Sequence, residues 1–166
     1  MTEFTVRDAR PEDYPAIAAL NTKAFNRPDE AAITQRLRAE GDVMMEIVAE
    51  ADGQIIGHAL FYQLRVYGKL AAIGLGPMCV DPWIQREGIG KGMLNHSLAY
   101  LQQQGVSIVF VLGHPDYYSK FGFNVAATAD FQSPFKDNPA FMAVRMRYGP
   151  PMSGRLLFPD AFGIES

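Results

Sequence analysis

The chain has 166 residues, 48% of them hydrophobic, and its 15 Lys and Arg against 18 Asp and Glu leave a net charge of −3. That is the size and make-up of one globular domain over 1–166, and an acidic balance without a basic block excludes nucleic acid and anionic membrane as main partners. No run approaches the roughly 20 apolar residues of a spanning helix, the opening MTEFTVRDAR has no apolar targeting core, and the single Cys79 rules out an internal disulfide, so the expected location is the reducing cytoplasm.

In chain order, Phe4 to Arg10 alternates apolar and polar residues and predicts a strand. Pro11-Glu12-Asp13 opens a helix whose apolar positions are Tyr14, Ile17, Ala18 and Leu20. Ala24 to Pro28 breaks it, and Asp29 is placed to cap a second helix running to about Glu40. Asp42 to Ala51 and Gln54 to Leu64 read as paired strands across Asp52-Gly53, a hairpin turn signal. Leu70 to Val80 is a further strand, and its Gly74, Gly76 and Pro77 predict an interrupted ladder.

A helix follows from about Gly88 to Gln104, with Ile89, Met93, Leu94, Leu98 and Leu101 as its apolar stripe and Gly105 just past its end. The apolar, β-branched run Val106 to Leu112 predicts a buried strand, 115–121 a short helix and 140–148 a last strand. The tail 149–166 is rich in Pro, Gly and Phe and carries no period that assigns it. Pattern alone supports a mixed α/β sandwich.

Between the strand ending at Val80 and the helix lies Asp81-Pro82-Trp83-Ile84-Gln85-Arg86-Glu87-Gly88-Ile89-Gly90-Lys91-Gly92. A Gly-rich loop opening a helix aims bare N–H groups and the positive helix end at one point, which suits a pyrophosphate. Arg86 and Lys91 add positive charge at its rim. The dinucleotide fingerprint fails because Met93 stands where its third glycine belongs. The Walker-type loop fails because Gly92 follows Lys91 and Gln85 takes the place of the earlier glycine. A glycine-rich turn that only starts a helix remains the alternative.

Gln85-x-x-Gly88-x-Gly90 resembles the acetyl-CoA loop of the GNAT N-acetyltransferases. The later Gly113-His114-Pro115-Asp116-Tyr117-Tyr118-Ser119-Lys120-Phe121-Gly122-Phe123 is similar to the second signature of that family, a short helix ending in Gly-Phe. LGPMCVDPWIQREGIG together with VLGHPDYYSKFGF resembles the YhbS-like branch of predicted acetyltransferases, in detail from about Ile73 to Phe123. The resemblance implies an α/β (α+β) GNAT fold, with a mixed, splayed central sheet flanked by helices. It implies an acetyl-CoA-dependent N-acetyltransferase acting by direct transfer, with acetyl-CoA as co-substrate and no metal. The expected acceptor is a small-molecule amine rather than a protein N-terminus or lysine, and a homodimer is compatible with it. A rival from another class is a non-catalytic acyl-CoA sensor.

Carried over residue by residue, the resemblance places the coenzyme's pantetheine arm along the backbone of Met78, Cys79 and Val80. It places the pyrophosphate on Gln85, Arg86, Glu87, Gly88, Ile89, Gly90 and Lys91. Tyr118 is the implied proton donor to the departing thiolate, since a phenol of pKa about 10 stays protonated at neutral pH. Tyr117 and Phe121, beside it, are further implied coenzyme-binding positions. Read as residues alone, Tyr118 is equally a buried aromatic of a short helix, and Cys79 a small buried hydrophobe. No carboxylate lies in 70–80 to act as base. Glu46, Asp81, Asp116, His58 and His114 remain open for that role, each with a structural alternative. Phe25, Asn26, Arg27, Tyr62, Arg65, Tyr67 and Phe135 are the implied acceptor-pocket positions. His114-x-Asp116 lacks a third ligand at useful spacing, so a metal is not expected.

Overall fold

The computed structural model describes residues 2–66, 69–147 and 149–164. Its elements follow the alternation and the breaks of the sequence: β1 (Thr5–Asp8), a 3-10 turn (Pro11–Asp13), α1 (Tyr14–Phe25), α2 (Asp29–Ala39), β2 (Val43–Ala51), β3 (Gln54–Val66) and β4 (Lys69–Val80). After the loop come α3 (Ile89–Gln103), β5 (Ile108–Leu112), α4 (Pro115–Tyr118), β6 (Phe131–Gln132), β7 (Phe141–Arg145) and β8 (Gly154–Leu157). The strands hydrogen-bond in the order β1-β2-β3-β4-β5-β7, with β8 on β3 and β6 on β8. Parallel pairing joins β4 to β5 and β6 to β8, and antiparallel pairing joins β1 to β2, β3 to β8 and β5 to β7. The sheet is therefore mixed and open, with helices flanking it.

The chain divides into two compact units, Met1–Phe61 with Pro77–Ser97, and Tyr62–Gly76 with Leu98–Ser166. In the first unit Asp52 (φ 50) and Gly53 (φ 76) both take positive φ, the geometry of the two-residue turn that closes β2 onto β3. Its core gathers Ile17, Leu20, Leu37, Ile47, Val48, Phe61, Met93 and Leu94. In the second unit β4 pairs with β5 over Ile73–Leu75, and Phe110, Phe123, Phe131 and Phe141 are buried. The ring of Tyr62 lies on Gly74, where a Cβ would sit 2.0 Å from the ring's Cζ.

Several expectations change in detail. Asp29 does not cap α2: Pro28 holds the cap position, and Asp29 and Glu30 form the first helical turn, where the helix dipole favours acidic residues. β4 continues as a strand to Val80, while its ladder with β5 covers only Ile73–Leu75 and stops at Gly76, which sits at φ +148, so the expected interruption falls at Gly76-Pro77. The short helix 115–121 is α4 followed by a 3-10 turn, Ser119–Phe121. The last predicted strand shrinks to β7, and Tyr148 of 140–148 lies outside the described residues. The unassigned tail contains β8 and a 3-10 turn, Asp160–Phe162.

Candidate coenzyme-binding and catalytic site

In the first unit, β4 leaves the sheet with its alternation intact: Met78 and Val80 are half-buried and Cys79 between them is buried. Burial, with the charges of Asp81 and Glu30 adding to it, pushes the Cys79 thiol up to about 12. That thiol is held neutral and behaves as a small hydrophobe. Asp81 then anchors the turn. Its N–H donates to the Ile56 carbonyl at 2.8 Å, and its Oδ1 accepts the Trp83 N–H at 3.0 Å and Lys23 Nζ at 3.1 Å. Asp81 is thereby engaged as a structural acceptor.

The loop itself alternates in handedness. Gln85 is extended at φ −67, Arg86 sits at φ 70 and Gly88 at φ 83. The side-chain amide of Gln85 reaches back to the Val80 carbonyl at 3.4 Å. Glu87 turns its carboxylate to Thr2, and those hydrogen bonds hold it below the usual carboxylate range. Ile89 plugs into the core at 1% exposure, and Gly90 is buried, while Gln85, Arg86, Gly88 and Lys91 are exposed. The Gly92 N–H donates to the Gly88 carbonyl at 2.9 Å. The amides of the preceding turn have no intrahelical acceptor, so they and the helix dipole suit an anion.

The rest of the first unit uses its charges structurally. Glu46 Oε2 accepts His58 Nε2–H at 2.7 Å and Arg38 Nη2 at 2.6 Å, and Arg38 Nε donates to Oε1 at 2.9 Å. Asn21 Nδ2 donates to His58 Nδ1 at 3.0 Å, which fixes a neutral imidazole carrying its proton on Nε2. Burial opposes the charge on Glu46, but the Arg38 and His58 hydrogen bonds overcome it and hold the carboxyl below its ordinary range. Burial pushes His58 down despite Glu46. Glu46 and His58, two candidates for the base, are spent on this network. Of the expected acceptor positions, Asn26 ends α1 at φ 54 and Arg27 pairs with Glu30.

In the second unit, β5 ends at Leu112 and Gly113-His114 leads into α4. The Tyr118 ring lies over Gly113, where a Cβ would meet its Cε2 at 2.5 Å. It packs edge-on against Tyr117 at 5.0 Å and Phe123 at 5.7 Å, and Tyr117 stands 5.5 Å from Phe121. Tyr117, Tyr118 and Phe121 are thus one half-buried aromatic group. Burial, and secondarily Tyr117, pushes the Tyr118 hydroxyl above its ordinary range, so it carries its proton throughout the neutral region. Gly122 at φ 90 makes the turn into buried Phe123. His114 and Asp116 are exposed. Tyr62 is buried beneath Phe162 at 4.6 Å and Phe158 at 6.4 Å, and Phe135 meets Phe158 edge-on at 5.4 Å. Phe158 and Phe162 were missed as companions of Tyr62, and their signal was the Phe-rich tail. Tyr67 lies outside the described residues. Among the described residues there is no group of three His, Cys, Asp or Glu able to hold a metal, and no helix is long and apolar enough to cross a membrane.

The chain as a whole is similar to known proteins. Residues 5–126 match the acetyltransferase (GNAT) domain. Over 129 residues, 76% of this chain and 77% of the relative, it is 34% identical to an Escherichia coli K12 protein described as the uncharacterized N-acetyltransferase YhbS. The crystal structure of the GNAT family N-acetyltransferase YhbS from Escherichia coli, in complex with CoA, superposes with a TM-score of 0.89 at 29% identity, covering 100% of this chain and 95% of that one. A GNAT family acetyltransferase from Brucella melitensis, in complex with acetyl-CoA, gives a TM-score of 0.81 at 30% identity, covering 98% of this chain and 99% of that one. With the domain matched over most of its length, and its mixed open sheet shared with these structures, this chain belongs to the GNAT family of N-acetyltransferases.

Proposed function

We propose that this protein transfers the acetyl group of acetyl-CoA directly to an amine of a small molecule. The observation that carries the proposal is the loop between β4 and α3. Its positive φ at Arg86 and Gly88, its exposed backbone and the unpaired first-turn amides of α3 make an anion cradle. The two relatives bound to CoA and acetyl-CoA support reading that anion as the coenzyme's pyrophosphate. In this reading Arg86 and Lys91 supply charge at the rim, and Met78 and Val80 offer backbone groups to the pantetheine arm. Acetyl-CoA brings an activated thioester carbonyl. The amine nitrogen forms the new C–N bond, the C–S bond breaks, and the thiolate takes the proton of the Tyr118 hydroxyl; the proton shed by the acylated nitrogen passes through solvent to the Tyr118 phenolate and restores the phenol. Tyr117 and Phe121 hold the Tyr118 ring in place.

A thiol-release assay over a broad panel of small amines, run beside peptides with free N-termini and lysines, tests the activity and the acceptor class together. Turnover on small amines is the expected result. Coenzyme A binding without turnover on any amine would favour the sensor reading instead. Tyr118→Phe keeps the ring and removes the hydroxyl. General acid assistance contributes about 10²–10⁴-fold, so kcat should fall at least about tenfold while coenzyme affinity holds. Gly90→Val should weaken coenzyme A binding by calorimetry with the fold retained. Unchanged affinity would mean that the loop only starts a helix.

A further inference from the structure

The coenzyme loop is braced from the far end of the sequence. The Thr2 backbone N–H donates to Glu87 Oε1 at 2.8 Å, and the Thr2 hydroxyl donates to the same oxygen at 2.7 Å. Two residues on, the Phe4 ring lies against the first turn of α3: a Cβ on Gly92 would meet its Cζ at 2.7 Å. Residues 2–4 therefore touch the loop and the start of the helix it opens.

The placement of Glu87 gives this contact a consequence. It lies between Arg86 and Gly88, both at positive φ, and just ahead of Ile89, the first residue of α3. A carboxylate beside a helix N-terminus is drawn to the open amides of the first turn, and acidic side chains cap helices by accepting those N–H groups. Those are the amides assigned above to the pyrophosphate. A loose Glu87 is thus an intramolecular competitor for the coenzyme, carrying the same charge and seeking the same donors. Both hydrogen bonds from Thr2 fall on one oxygen of that carboxylate and draw it to the N-terminal segment.

We propose that Thr2 is a positioning residue for coenzyme binding: by holding the Glu87 carboxylate, it keeps the amides at the start of α3 open to the pyrophosphate. The proposal rests on the coenzyme reading of the loop. It also accounts for an acidic residue in a loop whose other chemistry favours anions.

The test is a double-mutant cycle on the full chain, read as the Kd for coenzyme A and as kcat and KM for acetyl-CoA. Thr2→Val removes the hydroxyl donor and keeps the branched shape. It should raise Kd and KM by about threefold to tenfold, the net scale of one ordinary hydrogen bond, since the Thr2 N–H still holds Glu87, with kcat within about twofold. Thr2→Ser should restore both. In a Glu87→Ala background the competitor is gone, so Thr2→Val should have no further effect on Kd. An unchanged Kd in Thr2→Val, or an equal loss in both backgrounds, would overturn the proposal, the second result because it would assign Thr2 to folding alone. Wild-type protein and Gly90→Val serve as the reference pair. If they bind coenzyme A equally, the coenzyme reading of the loop fails as well. If only Gly90→Val loses affinity while Thr2→Val does not, the proposal alone fails.

Discussion

In the first unit Arg7 forks onto Asp13 at 2.8 and 3.0 Å while its Nε takes Glu50 at 2.6 Å, and Arg38 forks onto Glu46 beneath His58. In the second unit Phe110 sits edge-on to Phe131 at 4.9 Å and stacked on Phe141 at 5.6 Å, and Phe135, Phe158, Phe162 and Tyr62 continue the cluster. The ion pairs Arg7–Asp13, Arg7–Glu50, Lys23–Asp81 and Arg38–Glu46 lie in the first unit and Arg145–Asp130 in the second, while these ring pairs lie in the second. The two units therefore answer to different variables. A framework of buried charge responds to pH, because its groups have shifted affinities for protons. A framework of rings responds to volume, because close-packed interiors do not relax around a lost side chain.

The largest effect should come from a ring. Phe110 is 1% exposed, and Phe110→Ala removes the centre of the Phe131–Phe141 stack. Phe→Ala in a core costs about 3–5 kcal/mol. Urea unfolding should show that loss at any pH between 6 and 8, and a loss under about 1 kcal/mol would mean the rings are not what holds this unit.

Glu46→Ala should come next. It leaves Arg38 with no carboxylate in a setting where its side chain is 16% exposed and stacked 3.7 Å over Tyr14. Breaking a buried pair costs about 3–5 kcal/mol when the remaining charge is fully buried, and the Arg38 exposure places the expected loss near the low end. Arg38→Met with Glu46→Gln should recover much of it, because the amide oxygen still accepts the His58 Nε2–H and no orphaned charge remains. Recovery that fails would show that the ions confer more than mutual compensation.

The pH response carries a definite sign. His58 binds its proton more weakly in the folded chain than at its ordinary 6.5, so the unfolded chain takes up a proton first and stability falls as pH drops below about 6.5. Glu46 is held below its ordinary 4.5 and Asp13 falls from 3.8 to about 2, the latter led by its Arg7 hydrogen bond. Their stabilisation is present above those ordinary values and is lost as pH falls through the folded ones. All three act in the same direction, so denaturant midpoints should decline in two stages, first below about 6.5 and again below about 4.5. His58→Gln should remove the first stage and leave the second. A wild-type midpoint flat from pH 7 to 5 would refute the assignment of a buried neutral imidazole.

What the sequence disclosed follows from how local each cause is. The Asp52-Gly53 turn, the loop at 85–90 and the stripe of α3 were legible because a need for positive φ and a 3.6-residue period are written into neighbouring residues. Tyr118 was picked out through the resemblance of Tyr-x-x-x-Gly-Phe to the second family signature, a local pattern as well, and its role stands as a proposal. The network of Asn21, Arg38, Glu46 and His58 joins α1, α2, β2 and β3 through contacts that no short window contains. Glu46 and His58 were legible only as separate candidates for the base, and strand register decides that they meet. Gly74 read as a flaw in a strand, yet the Tyr62 ring on the neighbouring strand occupies the space its side chain would take. The tail was opaque because β8 is four residues long and its partners on β3, Arg65 and Val66, lie about ninety positions earlier.

The smallest effect tests the comparison at its exception. Asp130 and Arg145 pair at 3.1 Å in the ring-dominated unit, with side chains 65% and 42% exposed. Water screens such a pair, and ordering two side chains offsets much of the attraction, so exposed ion pairs contribute about 0–1 kcal/mol. Asp130→Asn preserves shape and removes the charge. It should change unfolding free energy by less than about 0.5 kcal/mol, and raising salt to 1 M, where the screening length is about 3 Å, should erase even that. Arg7→Met in the first unit supplies the contrast, since it leaves the buried Asp13 and half-buried Glu50 unpaired at once. If Asp130→Asn cost as much as Arg7→Met, burial would not be what separates the charges of the two units, and position in the sheet would have to explain the difference instead.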